Sequence, residues 1–176
     1  MSSNSKLNFW KLSISLAFMT TAAGIIGPIN SPKAVAQPGL CQAVSGSSLS
    51  GVPASVKTAA TKAVTPLKVT QLNDIEVEDG VKIYELGGKQ KNGCPFEVDI
   101  IAPGNLDEVE YQLPTVPGVV QSALKSQVPG YKATFVEKSV RPGGVVVYET
   151  EGVKGGVEYE VDVNANGTKV TVTKAS

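Results

Sequence analysis

The sequence lacks histidine entirely. Imidazole is the commonest general base, a member of the usual serine and cysteine triads and a frequent zinc ligand, so its absence excludes those triads and most zinc sites. The sequence also lacks a glycine-rich loop that follows a strand and opens a helix, the arrangement that cradles phosphate. We therefore expect a protein that is not an enzyme and has no catalytic residue, cofactor or metal ion.

An excess of basic residues is also missing, because the sixteen lysines and arginines equal the sixteen aspartates and glutamates in number. Three of the lysines, Lys6, Lys11 and Lys33, precede Gln37, whereas no acidic residue does. The chain from Gln37 onwards therefore has a net charge of about −3. Nucleic acids and anionic membranes attract basic patches, so we expect neither as a partner.

The first 36 residues have the pattern of an export signal. Lys6 and Lys11 lie at the start of an apolar stretch that extends to residue 27, and Ala34-Val35-Ala36 is a small-residue cleavage site. Serines and threonines interrupt the apolar stretch and Pro28 ends it, which disfavours a membrane span. We expect a signal peptide over residues 1–36 and a secreted or periplasmic protein.

Cysteine is scarce, with only Cys41 and Cys94 in the whole sequence. Two cysteines in an oxidising compartment usually form a disulfide bond. This bond would tie residues 37–51, a glycine- and serine-rich segment predicted as a flexible N-terminal arm, to the loop before Phe96. Two free thiols or an intermolecular bond are the alternatives.

After the arm, the sequence resembles itself at a spacing of 63 to 64 positions. Three matches define the spacing: Val52-Pro53 with Val116-Pro117, Tyr84-Glu85 with Tyr148-Glu149, and Glu97-Val98-Asp99 with Glu160-Val161-Asp162. Each copy contains one helical apolar stripe followed by segments in which apolar and polar residues alternate. The pattern predicts an α+β protein of two tandem repeats, residues 52–115 and 116–176, each with one helix packed on a four-stranded antiparallel sheet. Whether the two sheets join at their edges or form separate lobes stays open.

Several short motifs resemble those of PepSY-like domains of exported bacterial proteins. They are a Val-Pro pair that opens a helix, Pro129-Gly130-Tyr131 at its end, Val147-Tyr148-Glu149, Glu158-Tyr159-Glu160-Val161 and the turn Asn164-Ala165-Asn166-Gly167. The resemblance covers nearly the whole chain after the export signal, although the first copy departs from it at Thr65-Pro66-Leu67 and Cys94-Pro95. It implies a fold similar to that of the β-lactamase inhibitor protein and an extracytoplasmic binding or inhibitory module, with no catalytic residue.

Acidic residues alternate with apolar ones in the predicted strands, so they project from the solvent-exposed face of each sheet. Such a face can be a solvated surface that prevents aggregation, a docking surface for a basic partner, or a set of carboxylates for calcium or hydrolysis. The tyrosines at equivalent repeat positions can be packing residues or interface anchors. The candidate partner surface comprises Glu97, Asp99, Glu158, Glu160, Asp162, Tyr84 and Tyr148.

Together these patterns favour a non-catalytic module that engages or inhibits an exported protein such as a peptidase or a β-lactamase. A small-ligand or cation binder that uses the acidic sheet faces is the alternative function.

Overall fold

The computed structural model describes residues 39–175, and the predicted signal peptide lies outside them. Within the described residues the chain forms two α-helices and eight strands. Their order is α1 (Ala54–Val64), β1 (Val69–Glu78), β2 (Val81–Lys89), β3 (Pro95–Ile101), β4 (Asn105–Gln112), α2 (Gly118–Gln127), β5 (Lys132–Arg141), β6 (Val145–Lys154), β7 (Val157–Asn164) and β8 (Val170–Lys174). The described helices are too short and too polar for any of them to cross a membrane.

All eight strands belong to one antiparallel sheet, in which each strand pairs with its neighbours in sequence. The prediction of two repeats, each with its own four-stranded sheet, was therefore wrong, and the fold is mostly β. The decisive contact is the pairing of β4 with β5, from Val109 opposite Val140 to Gln112 opposite Glu137. This pairing satisfies the backbone groups of two strands that would otherwise form the open edges of separate sheets.

Both helices pack on the same face of this sheet, because the register of the strands places both hydrophobic clusters on one side. Under α1, Val56 and Ala60 pack with Leu86, Val98 and Ile100. Under α2, the partners of the helix come from β6, β7 and β8, and they include Val161, Val163 and Val170. Burial of these aliphatic side chains supplies the main driving force for folding.

Two β-bulges, one in β1 and one in β5, each lie beside a glycine. The register shifts in β1 between Val69 and Gln71, and again in β5 between Ala133 and Phe135. Beside each bulge a glycine allows close approach: a Cβ at Gly88 would overlap the Lys68 carbonyl oxygen and the Phe96 ring, and a Cβ at Gly152 would overlap the Lys132 carbonyl oxygen and the Tyr131 ring. Bulges increase local strand twist. The two bulges, each with its glycine, recur at the spacing of the sequence repeat.

The segment before α1 is attached to the sheet at several points. Cys41 and Cys94 form a disulfide bond with a Cα–Cα distance of 5.5 Å, which confirms the predicted pairing. Leu40 N donates a hydrogen bond to Pro114 O at 3.0 Å. Ser47 forms an antiparallel bridge with Leu72 of β1.

Candidate partner-binding face

The candidate site lies on the face of the sheet against which neither helix packs. We call it the acidic face and define it by the carboxylates that the strand register places there: Asp74, Glu76, Glu78, Glu85, Glu97, Asp99, Glu108, Glu110, Glu137, Glu149, Glu151, Glu158, Glu160 and Asp162. Most acidic residues of the chain are therefore on one side of one sheet. This distribution follows from the period of two along each strand.

Several of these carboxylates lie directly opposite one another on adjacent strands. The pairs are Asp74 with Glu85, Glu85 with Asp99, Glu97 with Glu110, Asp99 with Glu108, Glu137 with Glu149, Glu149 with Asp162, and Glu151 with Glu160. Like charges at opposed positions destabilise a sheet. A face that served only for solubility would gain as much from alternating lysine and glutamate, without this repulsion.

Arg141 is a counter-ion near the centre of the acidic face. Its Nε donates a hydrogen bond to Glu108 Oε2 at 2.9 Å, and its Nη2 donates to Glu149 Oε1 at 3.2 Å. Ser139 Oγ, which is fully buried, also donates to Glu108 Oε2, at 2.6 Å. Arg141 on β5 thus connects carboxylates from β4 and β6, the two strands that flank it.

The carboxyl groups near the centre of the face are harder to ionise than ordinary ones. Partial burial raises the pKa of Glu110 well above its usual value, and the negative charge of Glu137 raises it further. The pKa of Glu137 is raised in the same way by burial and by Glu149. Burial, together with Glu108 and Asp162, raises the pKa of Glu149 to about 7, although Arg141 acts in the opposite direction. Ionisation of these carboxyl groups therefore carries an electrostatic and desolvation penalty.

Three groups of carboxylates on or beside this face are close enough to share one cation. Within each group the carboxylate oxygens lie within 4.8 Å of one another. The groups are Glu85, Glu97 and Asp99; Asp99, Asp107 and Glu108; and Glu108, Glu110 and Glu149. Oxygen ligands of this kind suit hard divalent cations such as calcium.

The structure divides the residues of the predicted partner surface between the two faces. The register places all five acidic residues on the acidic face: Glu97, Asp99, Glu158, Glu160 and Asp162. Tyr84 lies on the opposite face, buried under α1. Tyr148 also lies there and packs against the cluster under α2. The face that the structure assembles therefore contains the acids without the tyrosines.

Sequence reasoning missed Glu137 and Arg141, which the β4–β5 and β5–β6 pairings bring to the centre of the face. The alternation of Glu137, Ser139 and Arg141 along β5 was visible in the sequence. It placed the three side chains on one face but did not show which carboxylates would lie beside them. Cross-strand neighbours depend on the register, which that alternation does not specify.

No protein-family profile matches the sequence, and no curated protein sequence matches it. Solved structures do match. A DUF2874 family protein from Bacteroides ovatus ATCC 8483 superposes with a TM-score of 0.56 at 13% identity, over 69% of this chain and 86% of that one. A BLIP-like protein from Bacteroides fragilis NCTC 9343 superposes with a TM-score of 0.50 at 18% identity, over 70% of this chain and 86% of that one.

The fold is BLIP-like. A third similar structure, from Bacteroides eggerthii DSM 20697, belongs to a protein provisionally described as periplasmic and has a TM-score of 0.54 at 13% identity, over 69% of this chain and 88% of that one. At these identities the BLIP-like likeness concerns the path of the backbone. The chemistry of the acidic face has to be derived from the residues of this chain.

Proposed function

We propose that this protein is an exported, non-catalytic binding module that docks a protein partner with a basic surface on its acidic face. The observation that carries the proposal is the placement of carboxylates directly opposite one another on the face that neither helix covers. A basic partner would neutralise these opposed charges. The repulsion present in the free protein would then be relieved on binding, which adds to the attraction between the two surfaces.

The width of the acidic face also favours a protein over a small molecule. The opposed carboxylates extend from β1 to β7, and strands in a sheet lie about 4.8 Å apart. Carboxylates across seven strands therefore span on the order of 30 Å, which is the dimension of a protein–protein interface. Charge of one sign over such an area also accelerates association with an oppositely charged protein.

The BLIP-like fold and the resemblance to PepSY-like domains favour an extracytoplasmic peptidase or β-lactamase as the partner, which this module would inhibit. Export is supported by the predicted signal peptide, which lies outside the described residues, and by the provisional periplasmic description of one similar structure. Membership of the PepSY-like family is part of this proposal.

The test is affinity capture from an extracytoplasmic extract, with the wild type and two variants as baits. One variant replaces Glu151, Glu160 and Asp162 by Gln, Gln and Asn. The other is Asp79→Asn, which removes one negative charge from the exposed turn between β1 and β2. We expect the wild type and Asp79→Asn to retain the same protein, and the triple variant to lose it. The captured protein is then purified, and its peptidase or β-lactamase activity is measured with and without the module; equal capture by all three baits would contradict docking on this face.

A second candidate function is the binding of a divalent cation, which the three carboxylate groups favour. In that case millimolar calcium would raise the melting temperature of the wild type. Glu108→Gln would remove the part of the increase that comes from the two groups that contain Glu108, and it would leave the group of Glu85, Glu97 and Asp99 intact. A melting temperature that is independent of calcium would eliminate this candidate.

A further inference from the structure

The acidic face already holds one arginine, and its geometry shows how the face binds a guanidinium group. Arg141 donates to Glu108 on one flanking strand and to Glu149 on the other. The planar guanidinium therefore spans two strands, with one nitrogen directed to each carboxylate. About half of the Arg141 side chain is exposed, so the group is held at the surface of the sheet.

A second pair of carboxylates lies beside this arginine. Glu110 is opposite Ser139, and Glu137 is opposite Gln112, so the two glutamates form a diagonal pair across β4 and β5. Both are half-buried, and no residue between 39 and 175 donates a hydrogen bond to either carboxylate or forms an ion pair with it. The charged groups that surround the pair are Glu97 and Asp99 from β3, Glu108 from β4, Arg141 from β5, and Glu149 and Glu151 from β6.

We propose that Glu110 and Glu137 form a subsite that binds an arginine side chain presented by the protein partner. This inference rests on the proposed docking function and specifies the chemistry of its central contact. Glu110 and Glu137 lie on the adjacent strands β4 and β5, whereas the two carboxylates that Arg141 already spans lie on β4 and β6, with β5 between them. A planar group with several donors can therefore contact both Glu110 and Glu137. Guanidinium is more weakly hydrated than ammonium and presents its donors as a rigid fork, which suits a half-buried pair of carboxylates better than lysine does.

The composition of the chain argues against a second copy of this protein as the partner. Arg141 is the only arginine in the sequence. It is already bound to Glu108 and Glu149 of its own chain, so another copy would have to break both contacts to supply a guanidinium. The occupant of the subsite is therefore an arginine from a different protein.

The inference is tested by NMR titration of the purified protein at pH 8 with two blocked pentapeptides, Gly-Gly-Arg-Gly-Gly and Gly-Gly-Lys-Gly-Gly. We expect the arginine peptide to shift the backbone amide signals of Glu110, Glu137 and Ser139, and to bind several times more tightly than the lysine peptide. Glu110→Gln and Glu137→Gln should each weaken binding of the arginine peptide about tenfold, because each removes one charged acceptor. Asp79→Asn, which removes a charge far from the subsite in sequence and on an exposed turn, should leave the affinity unchanged.

Weaker binding by the two glutamine variants cannot be attributed to unfolding, because both substitutions remove repulsion between carboxylates and should raise the melting temperature. Equal affinities of the arginine and lysine peptides, or an unchanged affinity in Glu110→Gln and Glu137→Gln, would overturn the arginine subsite. A larger shift of the same amides by calcium at equal concentration would overturn it in favour of a metal. The capture experiment decides separately whether the acidic face docks a protein: if the triple variant loses the partner while Glu110→Gln and Glu137→Gln retain it, only the subsite is wrong.

Discussion

Glu137 and Glu149 lie directly opposite each other on β5 and β6, on the face of the sheet that neither helix covers. Burial and the negative charge of Glu149 raise the pKa of Glu137. Burial, together with Glu108 and Asp162, raises the pKa of Glu149 to about 7. Two carboxylates in such a position reduce the stability of the free protein. This relationship therefore links the stability of the protein to pH, and it makes the same residues sensitive to a cationic partner.

We expect the protein to become less stable as the pH rises from 5 to 8. In the unfolded chain a glutamate has a pKa of about 4.3, whereas Glu149 in the folded protein has a pKa of about 7. Between these values the folded state binds more protons, so the free energy of unfolding falls with increasing pH. The full stability is present below the unfolded pKa and is lost as the pH passes through the folded pKa. Urea denaturation at pH 5 and pH 8 measures the difference, and greater stability at pH 8 would contradict the prediction.

Glu137→Gln should stabilise the protein at pH 8 by roughly 1 kcal/mol, because it removes one of two like charges at an opposed position. At pH 5 the gain should be smaller, since burial and Glu149 raise the pKa of Glu137 and favour its neutral form. Asp79→Asn is the matched control, as it removes one charge from an exposed turn residue with a positive φ that asparagine tolerates. If the two variants changed stability equally, net charge would explain the gain and the opposed pair would not.

Arg141→Gln should destabilise the protein by about 1 kcal/mol at pH 8, because Glu108 and Glu149 lose their shared counter-ion. The figure is modest because half of the arginine side chain is exposed to solvent. A double-mutant cycle with Glu149→Gln isolates the contact: the effect of Arg141→Gln should shrink when Glu149 is already neutral. Additive effects of the two substitutions would show that the contact contributes nothing.

Removal of the disulfide bond should lower the free energy of unfolding by about 4 kcal/mol in the chain-entropy model. The bond closes a loop between residues 53 positions apart, Cys41 and Cys94. The double variant Cys41→Ala and Cys94→Ala, compared with the wild type by urea denaturation, measures this loss. A loss well below 1 kcal/mol would show that the segment before α1 keeps its position without the bond.

Gly152→Ala should destabilise the protein by roughly 1 to 3 kcal/mol, since overpacking in a well-packed region has that cost. Its Cβ would overlap the Lys132 carbonyl oxygen, which cannot move without disturbing the bulge in β5. Gly118→Ala is the control, because a Cβ at the first residue of α2 meets no atom within 4 Å and alanine favours a helix. Thermal unfolding of the two variants should therefore shift in different directions, and an unchanged melting temperature for Gly152→Ala would contradict the close approach.

Much of the secondary structure follows from local patterns. Pro117 precedes α2, and the apolar stripe of Val120, Ala123 and Leu124 is its buried face. Alternation over Val157–Asn164 places Val161 and Val163 in the core and Asp162 on the opposite side. Such features were predictable because the side-chain periods of a helix and a strand appear in residues that are close in sequence.

The arrangement of the sheet was not predictable in the same way. A repeat at 63 to 64 positions is compatible with two sheets or with one, and the prediction of two was wrong because β4 pairs with β5. The roles of Glu137 and Arg141 depend on the same non-local pairing. Tyr84 and Tyr148 were placed on a candidate surface, yet the register puts them on the helix side.

The sequence by itself determined that acidic and apolar side chains would separate onto opposite faces of strands, because a period of two follows from backbone geometry. It also left only one possible intramolecular disulfide, between Cys41 and Cys94, since the chain has no other cysteines, and the structure shows that this bond forms. Only the tertiary structure decided that the strands form one sheet and which carboxylates oppose one another. That decision depends on hydrogen bonds between residues distant in sequence, and it converts scattered acidic positions into one acidic face with Arg141 near its centre.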